Sequence, residues 1–279
     1  MPIKISPVIP AQAHTGAPGH YFRALQLAGM ANLVSPITVV FDSRAVGRPI
    51  TPHPHAGLTT ITYIFEDSHG GLRSRDTLGN DVTVGPGGVV WTESCRGIVH
   101  EELPSVPSVE VHGLVAFVNL TSANKLEPAR VNWLQADEIP IWQDKGGNQV
   151  RVVAGTYGNL SSPLQPMEPF TLLDVSLRQE ISFHLPAGHN ALVYVSAGTV
   201  TVRGGHQIEK VTAGNAVALQ RGGDAVLEAA DPSQLIILSA PAIDEPVVYE
   251  WPFIMNSQAE VQAAHERYRN GGMGRLAPT

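Results

Sequence analysis

Two short motifs rich in histidine are the part of this sequence best suited to chemistry. The first is His53-Pro54-His55, and the second contains His100 and Glu102. Side chains of a β-strand alternate between two faces, so residues i and i+2 share a face. If the two strands are neighbours in a barrel, three imidazoles and one carboxylate converge on one point. That set of ligands predicts a metal site.

A His-Pro-His sequence by itself is also compatible with a turn that carries two solvated histidines. Three features favour the metal site: the repeated i, i+2 parity, the Gly and Pro residues beside both pairs, and a separation that suits neighbouring antiparallel strands. Parity also selects Glu102 as the carboxylate. Glu101 points the other way and is predicted to be a solvated acid on the outside, and Glu93 lies several residues upstream.

The ligand types narrow the choice of metal without deciding it. Imidazole and carboxylate without thiolate suit Fe(II), Mn, Ni, Cu or Zn, whereas structural zinc usually has four closed ligands with cysteine prominent. Three His and one Glu leave positions open on an octahedral ion for O₂ or substrate. We therefore prefer one Fe(II), with Zn, Mn, Ni and Cu as alternatives. Binding should weaken below about pH 6.5, where free imidazole takes up a proton.

The elements that must position these residues are short strands separated by Gly and Pro. Strand patterns occur at residues 59–65, 89–91, 109–119, 170–177 and 191–195. This density predicts an all-β protein, built as a sandwich or a barrel. The polar stretch with several prolines at residues 120–140 predicts a boundary between a metal-binding domain, residues 1–133, and a second domain, residues 134–279.

The second block of strands repeats the first only weakly. The sequence before and after His189 echoes residues 53–64, but it has one His and no later His-x-Glu, so the second domain is predicted to bind no metal. One helix follows near the end. Ser257-Gln258-Ala259-Glu260 is a capping box in which the Glu side chain is expected to reach the Ser257 amide. Gly271 and Gly272 supply the stop.

Composition limits the classes of function. The chain has 279 residues, a net charge of -7 and 15% charged residues, which is typical of a globular protein and argues against direct nucleic acid binding. We find no apolar run long enough for a membrane helix and no signal peptide pattern. Cys95 is the single cysteine, and it is predicted to be a small buried residue. A cytoplasmic protein is expected, or a nuclear one in a eukaryote.

Several motifs are spread over nearly the whole chain. They are His53-Pro54-His55-Ala56-Gly57, Arg75-Asp76-Thr77-Leu78-Gly79-Asn80, Gly85-Pro86-Gly87, Arg96-Gly97-Ile98-Val99-His100-Glu101-Glu102, Glu245-Pro246-Val247-Val248 and Pro252-Phe253-Ile254-Met255-Asn256. Together these motifs closely resemble the pirin family.

The resemblance implies a bicupin, two tandem cupin-type β-barrels with a C-terminal helix and one metal in the N-terminal barrel. Carried over by position, the ligands are His53, His55, His100 and Glu102, the four residues that parity selects. Four features depart from the commoner pattern: Ala56 stands where many members have Arg, Thr59 where many have Glu, Cys95 where Gly is usual, and the turn at residues 66–71 is longer than the usual turn between these strands. These residues lie at or near the predicted pocket mouth. The resemblance therefore predicts the metal site but does not determine the identity of the substrate.

Two functions from different classes are consistent with the resemblance. The first is a quercetinase-type dioxygenase, in which the metal orients a flavonol-like aromatic substrate and O₂, and Glu102 accepts the flavonol hydroxyl proton. The second is a non-catalytic iron or redox sensor that binds a regulatory protein partner. In the family, pirins have been described in both ways. A monomer is expected on the same basis.

Overall fold

The structure is a computed structural model that describes residues 3–277 and residue 279. Short strands dominate it, as the sequence predicts. The elements of the first half are β1 (Lys4–Ile5), β2 (Ile9–Thr15), β3 (His20–Leu25), α1 (Ala31–Val34), β4 (Ile37–Ala45), β5 (His53–His55), β6 (Leu58–Ile64), β7 (Leu72–Asp76), β8 (Asp81–Val84), β9 (Val89–Glu93), β10 (Ile98–Pro104), β11 (Val111–Asn119) and β12 (Arg130–Leu134).

A short 3-10 helix, Ala136–Glu138, leads into the second half. The remaining elements are β13 (Ile141–Gln143), β14 (Gln149–Ala154), β15 (Thr156–Tyr157), β16 (Leu160–Ser161), β17 (Thr171–Leu177), β18 (Glu180–Leu185), β19 (His189–Ala197), β20 (Thr199–Gly204), β21 (Gln207–Thr212), β22 (Asn215–Gln220), β23 (Gly223–Ala229), β24 (Ser233–Pro241), β25 (Val248–Glu250), β26 (Phe253–Met255) and α2 (Gln258–Arg269). Neither α-helix in the described part of the chain is long and apolar enough to cross a membrane.

The chain divides into two compact units. The histidine unit holds the described residues of Ala13–Phe22, Val39–Ala136 and Ile243–Thr279, and the second unit holds those of Met1–Gln12, Arg23–Thr38 and Asp137–Ala242. The change of unit at Ala136 lies close to the predicted boundary at residue 133. In this division Ile243–Thr279 groups with the histidine unit, and the described residues of Met1–Gln12 and those of Arg23–Thr38 group with the second unit.

Packing explains the grouping of the C-terminal segment. Its buried side chains form one cluster with residues on and beside the histidine strands: Ala56, Val99, Phe253, Met255, Val261, Ala264 and Met273. Burial of these apolar side chains removes them from water, and this hydrophobic contact holds the C-terminal segment against the histidine strands.

Two sheets of the histidine unit carry the candidate site. In one sheet the order is β5-β10-β7-β8, and in the other β12, β9, β6 and β11 are successive neighbours, with β4 beyond β11. β6 is buried along its whole length, and its β-branched Thr and Ile side chains suit a strand that is covered on both faces. The cluster of Ile64, Leu72, Val84, Val90 and Val111 packs between these strands.

The second unit has the same kind of construction. β22, β19, β24, β17, β14 and β13 are successive neighbours, and a four-stranded sheet runs β18-β23-β20-β21. β18 alternates strictly between exposed and buried residues, as a strand with one face on a core should. The large cluster of Val, Leu and Ile residues from these strands forms the core of this unit.

The C-terminal helix α2 begins and ends where the sequence predicts. The Glu260 amide donates to Ser257 Oγ (3.3 Å), and Gly271 follows the helix with a φ of 76°. One detail of the capping box was wrong. The Glu260 carboxylate accepts from the backbone amide of Asn256 (2.8 Å) rather than from that of Ser257. The side chain therefore bonds to the residue that precedes the predicted partner. Val261 and Ala264 form the buried side of the helix.

Candidate metal centre

Strands β5 and β10 bring the three predicted histidines together. They pair antiparallel with His100 opposite His53 and Ile98 opposite His55. His53 and His55 share a face because they are two residues apart, and His100 lies on that same face of the sheet. One potential ligand atom from each imidazole lies within 4.8 Å of those of the other two. The pairing predicted from parity is therefore present.

Backbone carbonyls set the tautomers of His53 and His55. His53 Nδ1 donates to Thr51 O (2.9 Å), and His55 Nδ1 donates to Pro252 O (3.2 Å). Because a carbonyl oxygen only accepts, each Nδ1 carries the hydrogen and each Nε2 keeps its lone pair. This is the usual arrangement of imidazoles that bind metals, in which the second nitrogen is fixed by an acceptor.

Glu102 lies beside this triad with one oxygen held and one without a partner. Thr62 Oγ1 donates to Glu102 Oε2 (2.7 Å), across from β6. Glu102 Oε1 lies 3.9 Å from His100 Nδ1. Both of these atoms are buried, and neither finds a hydrogen-bond partner among the described residues. An unsatisfied buried carboxylate oxygen is costly, so it indicates that another group belongs at this point.

Burial dominates the electrostatics of the site. Desolvation lowers the pKa of His55 to about 3, with a further contribution from His53, and it lowers the pKa of His53 and of His100 as well. The imidazoles are therefore neutral at physiological pH, as ligands must be. Desolvation acts in the opposite sense on the carboxyl of Glu102 and raises its pKa to about 7, against the hydrogen bond from Thr62.

The donors present fit a divalent metal ion. His53 Nε2 and His100 Nε2 are 3.2 Å apart. Two nitrogens that each lie about 2.1 Å from one ion are separated by about 3.0 Å in an octahedron and about 3.4 Å in a tetrahedron. The observed separation falls in this interval. The group of ligand atoms that converge within 4.8 Å contains the three histidines and not Glu102. A cation held by them would stabilise the ionised form of the neighbouring Glu102.

The neighbouring acid, Glu101, differs from the sequence prediction. It faces away from the triad, as parity requires, but it is buried at 3% exposure instead of solvated. Arg75 on the adjacent strand β7 forms an ion pair with it, and the same guanidinium donates to Ala277 O (2.9 Å). The C-terminal residues cover this outer face, which is why Glu101 is removed from water.

Residues 252–255, which sequence analysis did not connect with the site, pack against the strand that carries His55. Ile254 N donates to Ala56 O (3.0 Å), next to His55, and Gly57 has a φ of 75° with its missing Cβ position only 1.9 Å from Ile254 O. Only glycine permits this approach. The buried Lys125 ammonium joins the same segments, since it donates to Ile254 O (2.7 Å), to Asn119 Oδ1 (2.6 Å) and to Gly57 O (3.3 Å).

Other sequence predictions near the site are accounted for as follows. Cys95 is completely buried, as expected, and has a φ of 44°, a conformation that suits the glycine usual at this position in the family. Glu93 is paired with Arg130 and not with the triad. Sequence reasoning missed Thr62 and Lys125. The period-two pattern of β6 places Thr60 and Thr62 on one face and could have indicated Thr62, whereas nothing in the sequence around Lys125 marks it.

Comparison with known proteins decides the family. A family model described as pirin matches residues 15–118, and one described as the pirin C-terminal cupin domain matches residues 172–274. A protein of Pseudomonas aeruginosa, provisionally named a quercetin 2,3-dioxygenase, is 34% identical over 238 residues, which cover 82% of this chain and 81% of that protein. The chain belongs to the pirin family.

Solved structures agree on the fold of this pirin-family chain. The crystal structure of quercetin 2,3-dioxygenase from Acinetobacter baumannii has a TM-score of 0.87 and 24% identity, with 99% of each chain covered. A bacterial pirin from Escherichia coli, in complex with nickel(II), has a TM-score of 0.67 and 16% identity, with 86% of this chain and 100% of that chain covered. The all-β bicupin fold expected from the sequence is confirmed.

The two adjacent acids of β10 provide a matched test of the site. Glu102→Gln should lower the affinity for Ni²⁺ by at least about 100-fold. Loss of a group that only hydrogen-bonds to a metal ligand commonly costs about 10- to 100-fold in affinity, and loss of a ligand should cost more. Glu101→Gln should keep the affinity of the parent protein, because Glu101 lies on the other face. Isothermal titration calorimetry measures both. Loss of affinity in the Glu101 variant, with none in the Glu102 variant, would reverse the assignment.

The pH dependence of metal binding should follow Glu102 rather than the histidines. The pKa values of the imidazoles lie below the usual 6.5, whereas that of Glu102 is about 7, so the proton that competes near neutrality is on the carboxyl. Affinity should be constant above about pH 7 and fall about tenfold per unit below it. In Glu102→Gln the decline should begin at lower pH. An identical profile in both proteins would assign the competing proton to another group.

The buried ammonium of Lys125 should stabilise the packing of residues 252–255. Lys125→Met leaves three buried oxygens without this donor, and we expect a loss of about 2 kcal/mol or more in the free energy of unfolding. Metal affinity should also decrease, since the segment carries the Pro252 carbonyl that orients His55. Lys210→Met, at an exposed position of β21, is the control. Urea denaturation and calorimetry measure the two effects, and equal stabilities of the two variants would refute the role of Lys125.

Proposed function

We propose that this chain binds one divalent transition metal ion through His53, His55, His100 and Glu102, and acts as a dioxygenase on a flavonol-like aromatic substrate. The observation that supports this most strongly is the convergence of His53, His55 and His100, whose potential ligand atoms lie within 4.8 Å of one another, with the buried and unpartnered Glu102 Oε1 beside His100. The provisional name of the Pseudomonas aeruginosa relative and the nickel(II) complex of the bacterial pirin support it independently.

Three neutral imidazoles and one carboxylate have a total charge of -1, which suits a divalent cation. When bound, such an ion supplies Lewis acidity and, in the case of Fe(II), one-electron chemistry with O₂. Fe(II) is our preferred metal because this donor set without thiolate leaves coordination positions for substrate. Mn, Ni, Cu and Zn are the alternatives that the experiment below separates.

The residues of the chain have distinct roles in this proposal. Thr62 holds Glu102 Oε2 and so fixes the carboxylate plane, while Oε1 remains available. The carbonyls of Thr51 and Pro252 keep the hydrogens of His53 and His55 on Nδ1. Glu102 accepts the hydroxyl proton of the substrate, because its carboxylate lies next to the triad that would hold the metal and the substrate oxygen.

Access to the triad is from the side of His53. This imidazole is partly exposed, whereas His55 and His100 are buried. The substrate oxygen therefore approaches past His53, and the buried His55 and His100 keep water from the other side of the triad. Exclusion of water strengthens the interaction of the substrate oxygen with charged groups in the site.

The test begins with elemental analysis of the anaerobically purified protein, followed by O₂ uptake on addition of quercetin. Samples loaded with Fe(II), Mn, Ni, Cu or Zn are compared, and His55→Ala is the control without a complete triad. We expect one equivalent of metal and consumption of one O₂ per flavonol opened, with no uptake by the control.

Other results would change the proposal in definite ways. One equivalent of metal without uptake for any ion would keep the site and reject the flavonol reaction, and would favour the iron or redox sensor predicted as the alternative. Full metal content in His55→Ala would reject the site itself.

A further inference from the structure

An exposed indole lies directly against the candidate site. Trp251 follows β25 and precedes Pro252, whose carbonyl accepts from His55. Its ring centroid is 5.5 Å from that of His55 with an interplanar angle of 82°, and 5.6 Å from that of Phe117 with an angle of 30°. Trp251 is nevertheless 56% exposed. A tryptophan that served only to fill a core would be covered on both faces.

Trp251 continues a row of rings that starts at the triad. Phe117 lies 5.3 Å from His55, Phe41 lies 6.0 Å from Phe117, and Phe22 lies 5.4 Å from Phe41. These phenylalanines belong to β11, β4 and β3, which are neighbours in the sheet. We call Phe22, Phe41, Phe117 and Trp251 the aromatic wall. Phe22 and Phe41 are only partly buried, so the wall presents ring surface to solvent.

The chemistry of this surface limits what it can bind. The side chains of the aromatic wall carry no charge. The surface therefore favours an uncharged ring system. Aromatic rings prefer offset-stacked or edge-to-face partners at centroid distances of about 4.5–7 Å. A planar molecule can stack on the open face of Trp251, whereas a puckered ring loses part of this contact.

We propose that Trp251 is a specificity-determining residue that stacks on the ring system of a planar aromatic substrate. The aromatic wall orients the ligand so that one of its oxygens reaches the space between the triad and Glu102. This rests on the proposed function for the identity of the reaction, but ligand stacking can be measured without turnover.

The test measures binding of quercetin, a planar flavonol, to Zn²⁺-loaded protein under anaerobic conditions, by isothermal titration calorimetry. The second probe is the 2,3-dihydro analogue of quercetin, which has the same hydroxyl groups and a puckered central ring. The parent protein should bind quercetin more tightly than the analogue. Trp251→Leu keeps an apolar side chain over Phe117 and removes the ring, and it should weaken quercetin binding about three- to tenfold, from the usual strength of an aromatic pair.

Two further variants make the result specific. Trp251→Phe should restore most of the affinity and most of the preference for quercetin over the analogue. Trp133→Ala, at a partly exposed tryptophan of β12, should bind both probes like the parent. Metal content and melting temperature are measured for every variant, and the comparison uses variants that keep the parent values in both.

The outcomes separate this proposal from the proposed function. Dependence of binding on the Trp251 ring, without O₂ uptake for any metal, would support the stacking role and reject the dioxygenase reaction. O₂ uptake with an unchanged KM in Trp251→Leu, together with unchanged affinity, would overturn the stacking role and keep the reaction. Equal affinity of the parent protein for the two probes, or binding of neither, would also overturn it.

Discussion

The antiparallel pairing of β5 with β10 is the constraint on which the candidate site depends. With His100 opposite His53, the imidazoles of two strands face the same space, and Glu102 follows on the same face. A shift of the register by one residue would turn His100 and Glu102 away and bring Val99 and Glu101 into their place. Backbone hydrogen bonds of the ladder therefore determine which side chains can act together.

Desolvation is the second determinant, and it acts in opposite directions on the two kinds of donor. Burial lowers the pKa of each histidine in the triad and raises that of Glu102. The imidazoles are consequently available as neutral ligands, whereas the ionised form of the Glu102 carboxyl is unfavourable without a nearby cation. A buried acid with one oxygen unsatisfied lowers stability, and a protein retains such an arrangement where another group compensates for it. This is the physical basis for expecting a metal here.

The C-terminal segment contacts the histidine strands on both of their faces. Its apolar residues pack on Ala56 and Val99, its last residues cover the pair of Arg75 and Glu101, and the carbonyl of Pro252 orients His55. Trp251, in the same segment, lies against His55. Residues that are about 200 positions apart in the chain thus lie together at the candidate site, and the segment belongs to the histidine unit.

Much of the site follows from local rules that the sequence displays directly. The period of two in a strand assigns His53, His55, His100 and Glu102 to common faces, short strands between Gly and Pro predict an all-β fold, and the motifs resemble the pirin family to which the chain belongs. Burial, by contrast, depends on which distant segment packs against each face, and no local pattern contains that information. For this reason Glu101 is buried rather than solvated, Glu260 caps a different amide, and the pKa near neutrality belongs to Glu102 rather than to the histidines. The same reason applies to Trp251, which lies against His55 because the tertiary structure brings the C-terminal segment back to β5. It applies also to Lys125, which follows β11 and donates both to Gly57 O and to Ile254 O of that segment.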